Sequence, residues 1–229
     1  MCARGPQHLA VYDSAMGREV VVGVTGASGA IYAVRLLSAL ERAPDVSTIH
    51  LLVTGHARIA LREELDLPCE GPLDLKRLLG VEPAKVRLHP LDAVGACIAS
   101  GSWPTAGMVV IPCSMGTAAK IAHGISDSLL TRAADVCLKE RRKLILAVRE
   151  TPLSTIHLRN LLAASEAGAL ILPAMPAFYS KPASIEAMVD HYLGRVLDHL
   201  GLDHRLSRRW QGGSGGGSGD GRDLPSLAD

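Results

Sequence analysis

Residues able to bind an anion or move a proton gather where short apolar runs end. Arg149-Glu150 directly follows the run 144–148. Surface charge alone does not account for a pair at the end of a buried strand. A guanidinium there suits bidentate phosphate binding. A carboxylate beside it could orient the Arg or carry a proton. A purely structural Arg–Glu pair is the other reading of the same two residues.

The turn Gly23-Val24-Thr25-Gly26-Ala27-Ser28-Gly29 permits a tight passage from strand to helix. The helix start behind it offers free N–H groups to a phosphate. The pattern is not G-x-G-x-x-G, and the second strand ends on Thr54-Gly55 rather than on the Asp or Glu of an NAD site. Both departures point away from NAD and towards a mononucleotide. Close packing is the rival use of the same glycines.

Pro112-Cys113-Ser114-Met115-Gly116-Thr117 places small and hydroxyl side chains after a third strand. Helix capping explains one such residue; two such turns after neighbouring strands favour a ligand. Cys113, with no base beside it in sequence, reads as a small buried filler. Lys139-Glu140-Arg141-Arg142-Lys143 reads as a helix end whose cations complement the dipole. The turn 173–182 holds three prolines, the only Phe (Phe178) and one of four Tyr (Tyr179). These rings suit a wall for a flat or apolar group, or a contact with another subunit. Arg195 sits beside core-like Val196 and Leu197, so it points inward, across an interface, or, by default for Arg, to the surface.

These groups need a frame. Apolar runs at 19–24, 48–53, 108–111, 144–148 and 169–172 read as strands, the third ended by Pro112. Helical spacing marks 30–42, 57–65, most of 125–140, 154–167 and 185–200. The alternation predicts one doubly wound α/β domain, Rossmann- or flavodoxin-like, with a mostly parallel sheet and helices on both faces. Ligands in such folds lie beyond the carboxyl ends of the strands. The domain is expected over 19–210, with an N-terminal extension 1–18 and a flexible Gly/Ser-rich tail 211–229.

The bulk properties exclude several classes. A 229-residue chain with 48% hydrophobic and 21% charged residues has the size and balance of one globular domain. A net charge of +1 gives no reason to expect nucleic acid. The five cysteines are odd in number and form no C-x-x-C pair, which predicts a reduced cytoplasmic protein without disulfides or a metal site. No apolar run is long enough for a membrane span.

Taken together, the turns resemble the flavin prenyltransferases of the UbiX type. The matching stretches are Gly-x-Thr-Gly-Ala-Ser-Gly-Ala (23–30), Ala-Ser-Gly-Ser (99–102), Pro-Cys-Ser-Met-Gly-Thr (112–117), 130–142, Arg-Glu-Thr-Pro-Leu (149–153), Pro-Ala-Phe-Tyr (176–179) and Arg-Trp-Gln-Gly (209–212). The resemblance implies that Gly26, Ala27, Ser28, Thr54, Ser114, Met115, Gly116, Thr117 and Arg149 hold reduced FMN. It implies a second substrate, dimethylallyl phosphate, whose phosphate meets Lys139, Arg149, Tyr179 and Arg195. Ser28, near the flavin N5, and Lys139, Glu64 and Glu150 would be catalytic, the two acids through proton handling. The product would be prenylated FMN, joined at N5 and C6, for a partner decarboxylase of aromatic or unsaturated acids. The family implies no metal, and a dodecamer with sites at subunit junctions. Two stretches depart from the pattern: Asp92-Ala93-Val94 stands where many members carry an aromatic residue, and the loop 124–128 lacks an often-found Asn.

Two other functions compete. An FMN-dependent cysteine decarboxylase of the related fold group would need a catalytic His early in the chain and an Asn-rich substrate motif. His50 lies in a strand and His56 beyond it, and no such motif follows. A non-catalytic flavin-binding decarboxylase subunit would lack the set Lys139, Arg149, Tyr179 and Arg195.

Overall fold

The run Val20-Val21-Val22-Gly23-Val24 is apolar at every position, so a strand made of it needs cover on both faces. In the computed structural model, which describes residues 17–68 and 70–206, it has that cover. Strand β1 (Arg18–Val24) lies at the centre of a six-stranded sheet. Val20, Val22 and Val24 face one core, and Val21 the other.

The elements then alternate. Helix α1 (Ala30–Arg42) leads to β2 (Val46–Val53), then α2 (Gly55–Leu65), the short α3 (Leu75–Leu79) and β3 (Val86–Leu88). A 3-10 turn (Cys97–Ala99) precedes β4 (Gly107–Cys113), α4 (Met115–Ala122), α5 (Leu129–Lys139) and β5 (Leu144–Val148). Helix α6 (Thr155–Glu166), β6 (Leu170–Ile171) and α7 (Ile185–Leu200) complete the order. The sheet order is β3-β2-β1-β4-β5-β6, and every pairing is parallel. The chain direction across the sheet reverses between β1 and β4, which makes their carboxyl ends the crevice of the fold.

Helices α1 and α7 cover one face. Leu36, Leu37 and Leu40 of α1 and Leu193, Val196 and Leu197 of α7 share one core with Val20 and Val22 of β1 and Val109 and Ile111 of β4. Helix α5 covers the other face with Leu129, Leu130, Ala133 and Cys137. Glycine is required where β4 starts. Gly107 has φ 149°, and a Cβ there would stand 2.7 Å from the Lys143 carbonyl oxygen.

The observed sheet is wholly parallel rather than mostly so. Pro112 does not end β4, which runs to Cys113. The register with β5 shifts between Val110 and Cys113, so the missing N–H falls where the ladder is already interrupted. The helix expected over 125–140 begins only at Leu129, where Ser128 and Thr131 form a capping box. Helix α4 arises from residues read as a turn, because Ser114 caps it. Helix α3 and β3 are too short for periodicity to reveal. Strand β1 takes in Arg18, one residue of the expected extension. The rest of that extension up to residue 16, the stretch 209–212 and the tail lie outside the described residues.

Candidate functional site

The crevice between β1 and β4 is fastened by one buried hydroxyl. Thr25 Oγ1 donates to the Pro112 carbonyl at 2.7 Å and accepts from Ser114 N–H at 2.8 Å. The two Gly- and Ser-bearing turns are thus held at a fixed separation. Thr54 caps α2 by accepting from Ala57 N–H at 3.1 Å. Ser114 caps α4, and its Oγ lies 3.1 Å from Thr117 Oγ1. Between these turns lies a cavity of about 370 Å³, lined by Thr25, Gly26, Thr54, Ser114, Gly116 and Thr117 among others. Gly26 cannot carry a side chain, since a Cβ would fall 2.3 Å from His56 Cβ. A Cβ on Gly116, by contrast, would meet nothing within 4 Å, so the backbone there is open to a ligand.

Glu64 supplies an unforeseen contact. Its carboxylate accepts from Gly29 N–H at 2.9 Å and from Ala30 N–H at 2.7 Å. The start of α1, expected as a phosphate seat, is therefore occupied by the chain's own anion. Ser28 is exposed beside it. The N-cap of α1 is Gly29, with no side-chain cap, so the Ser28 hydroxyl is not engaged in capping.

Arg149 leaves β5 on the same edge, with its N–H donating to the Cys113 carbonyl at 3.2 Å. Its exposed guanidinium has no protein partner among the described residues. Glu150 accepts from Thr151 N–H at 3.1 Å and makes no pair with Arg149. The structural-pair reading of Arg149-Glu150 is thereby removed. Cys113 is fully buried, and burial pushes its thiol up to about 12, as expected of a filler rather than a nucleophile.

The remaining residues lie apart from the crevice. Tyr179 is exposed and hydrogen-bonds His191 Nε2 at 3.3 Å, with the two rings edge to face. Arg195 stands one helical turn beyond His191 on α7. It is exposed, with Asp198 at 3.7 Å, and so does not point inward. Lys139 pairs with Glu140 at the end of α5. That end faces the opposite edge of the sheet, because Lys143 just beyond it accepts from Met108 N–H at the start of β4. Six extended residues from Lys143 to Arg149 span about 20 Å. One chain therefore does not bring Lys139 to Arg149.

The Ala-Ser-Gly-Ser stretch docks on that far end. Arg132 Nε donates to the Ala99 carbonyl at 3.1 Å, and Arg142 donates to the carbonyls of Gly101 and Trp103. A Cβ on Gly101 would collide with Lys139 Nζ and Glu140 Oε1. Two lining residues, Lys120 and Asp127, were not singled out from sequence. Recognising α4 would have revealed Lys120, one turn beyond Thr117. A larger cavity of about 740 Å³ lies at the end of α1 near residues 203–206, away from the crevice and its turns. Among the described residues no group of three His, Cys, Asp or Glu could hold a metal ion, and no helix is long and apolar enough to cross a membrane.

A parallel sheet with a hydroxyl-lined crevice at its switch point, a ready Arg and no acid after β2 defines a mononucleotide-binding α/β protein. The Flavoprotein family model matches residues 9–197, so the chain is a member of that class. The flavin prenyltransferase UbiX of Alkalihalophilus pseudofirmus is 47% identical over 192 residues, 83% of this chain and 95% of that one. The structure of AnUbiX (PadA1) in complex with FMN and dimethylallyl pyrophosphate is similar at a TM-score of 0.76 and 43% identity, covering 86% of this chain and 99% of that one. A dodecameric FMN-dependent UbiX-like decarboxylase from Escherichia coli O157:H7 is similar at a TM-score of 0.74 and 44% identity, covering 85% of this chain and all (100%) of that one. The chain belongs to the UbiX family of flavin prenyltransferases.

Proposed function

We propose that this chain is a cytoplasmic flavin prenyltransferase. It transfers the dimethylallyl group of dimethylallyl phosphate to N5 and C6 of reduced FMN, and the prenylated FMN serves a partner decarboxylase of aromatic or unsaturated acids. The observation that carries the reading is Arg149, a guanidinium without a protein partner among the described residues at the rim of the β1–β4 crevice, in a chain 47% identical to a UbiX enzyme. The open backbone at Gly116 and the hydroxyls of Thr54, Ser114 and Thr117 suit a flavin mononucleotide.

In this reading the flavin-binding domain is 19–210. Gly26, Ala27, Ser28, Thr54, Ser114, Met115, Gly116, Thr117 and Arg149 hold the flavin, with Ser28 beside its reacting edge. The reduced flavin supplies the nucleophilic N5 and C6 and a π face. Lys139, Arg149 and Arg195 collect positive charge on the phosphate as the allylic C–O bond breaks and the phosphate leaves with the electron pair. The Tyr179 ring flanks the electron-poor allyl group, and its hydroxyl completes the phosphate contacts. Bonding at N5 and C6 releases two protons from the flavin; one adds to the allyl double bond as the C6 bond forms, and Glu150 or the departing phosphate accepts the other. Glu64, through its bonds to Gly29 and Ala30, sets the position of Ser28.

A phosphate site containing both Lys139 and Arg149 needs two copies of the chain. This supports an oligomer with its sites at subunit junctions, and a dodecamer is the expected size. The test is anaerobic incubation of the purified protein with reduced FMN and dimethylallyl phosphate, followed by mass analysis of the flavin. The expected result is a gain of one prenyl unit. FMN bound without that gain would refute the transferase reading and leave a flavin-binding subunit.

A further inference from the structure

The nucleotide cavity carries a charged pair that the family comparison does not assign. Lys120 stands on α4 one turn beyond Gly116 and Thr117, and Asp127 stands in the segment before α5. Both line the cavity. Lys120 Nζ lies 2.5 Å from Asp127 Oδ2, and the other Asp127 oxygen accepts from Thr131 Oγ1 at 3.2 Å.

The flavin phosphate needs an anion seat in this crevice, and the start of α1 is already filled by Glu64. What remains is the start of α4, where Gly116 is open, Ser114 and Thr117 offer hydroxyls, and Lys120 is the one Lys or Arg on the cavity wall. Among the described residues His56 is the only other basic group there. An ammonium on a four-carbon stem can exchange one oxyanion for another without moving the helix. Asp127 would keep its Thr131 bond after releasing Lys120. An exposed pair of this kind adds little to stability, so exchange is easy.

We propose that Lys120 and Asp127 select the nucleotide by its phosphate. Lys120 leaves Asp127 to bind the 5′-monophosphate of FMN, and Asp127 stands against a second phosphoryl group, disfavouring FAD. The inference rests on the cavity being the flavin site, and it deepens that reading by assigning its mononucleotide specificity.

The test is titration of the full chain with oxidised FMN, riboflavin and FAD, followed by quenching of flavin fluorescence. Lys120→Met keeps the stem and helix propensity. It should weaken FMN about tenfold, the usual scale for one charge-assisted contact, and leave riboflavin unchanged. Asp127→Asn should tighten FMN several-fold and raise FAD binding relative to FMN. FMN affinity of the unchanged chain should fall with added salt while that for riboflavin stays level. Equal losses of FMN and riboflavin in Lys120→Met, or no loss of either, would overturn the proposal. If the unchanged chain prenylates FMN while Lys120→Met binds FMN as well as it does, this inference fails alone. If the unchanged chain does not bind FMN, the flavin reading fails with it.

Discussion

Helices α1 and α6 have nearly the same length, 13 and 12 residues, and both follow a strand of the same sheet. They are used differently. Helix α1 buries six residues, including Leu36, Leu37 and Leu40, against the sheet. Helix α6 buries only Ala164, while Ile156, Leu158 and Leu162 stand exposed. Phe178, Tyr179 and Ile185, before and at the start of α7, are also more than 60% exposed. The α1 side, with the crevice at its start, is completed within one chain. The outer face of α6 is not, and the large apolar groups Ile156, Leu158 and Leu162 on its surface mark an interaction face. The proposed flavin cradle begins on the finished side, at the turn before α1, and ends at the start of α4, the helix that packs against α6.

The largest effect should come from breaking the unfinished side. Ile156→Glu with Leu162→Glu should convert the oligomer to smaller species by light scattering and abolish prenylation. FMN binding in the cradle should survive. Loss of FMN binding as well would show that the two sides are not separate.

Arg149→Ala comes next, with a fall in turnover of about 10²–10³-fold and weaker binding of both FMN and dimethylallyl phosphate. The melting temperature should hardly change, because the guanidinium has no protein partner among the described residues. Mixing Lys139→Ala chains with Arg149→Ala chains should restore part of the activity, since some junctions then receive an intact residue from each copy. No recovery after subunit exchange would place both groups in one chain's site.

A smaller effect is expected inside the finished side. Thr25→Val leaves the Ser114 N–H without its acceptor and should cost about 1–3 kcal/mol in urea unfolding. FMN affinity should fall with it, because the two turns lose their tie. Unchanged FMN affinity would separate the tie from the cradle.

The smallest effect concerns a histidine pair under the same sheet. His50 Nδ1 lies 2.9 Å from His89 Nε2, and His50 Nε2 lies 2.8 Å from Glu19 Oε2. Burial, then the charges of His50 and Arg87, hold the His89 ring below its usual value of 6.5. A histidine kept neutral in the fold gives stability that is complete above its unfolded value and is lost as pH falls through the folded one. Urea midpoints should therefore begin to drop below about pH 6.5, before the carboxylates titrate, and His89→Gln should flatten that part of the curve.

Much of this was legible in the residues. Continuous apolar runs at 19–24 and 144–148 dictated strands buried on both faces, and the spacing of Ile31, Val34, Leu37 and Leu40 dictated helix α1, in which Leu37 and Leu40 are buried and Ile31 and Val34 partly so. The absence of an acid after Thr54 removed NAD without any structure. The position of Arg149 after an apolar run put it at the carboxyl edge of the sheet. These features are local, set by side-chain period and turn chemistry. The weakest local signals failed. Helix α4 was hidden because its capping Ser114 reads equally as a turn residue, and with it went Lys120. Pro112 was expected to end β4, but a register shift in β4 against β5 accommodates it.

By itself, the sequence determined the parallel α/β architecture, the crevice turns and the chemical identity of the site residues. Only the tertiary structure decided how they combine. It set Glu64 on the start of α1 across 34 residues, kept Arg149 from pairing with Glu150, and carried Lys139 to the far edge of the sheet. The reason is physical. A strand or helix is written by the residues within it, whereas the meeting of two side chains depends on which elements pack together and in which direction each one runs.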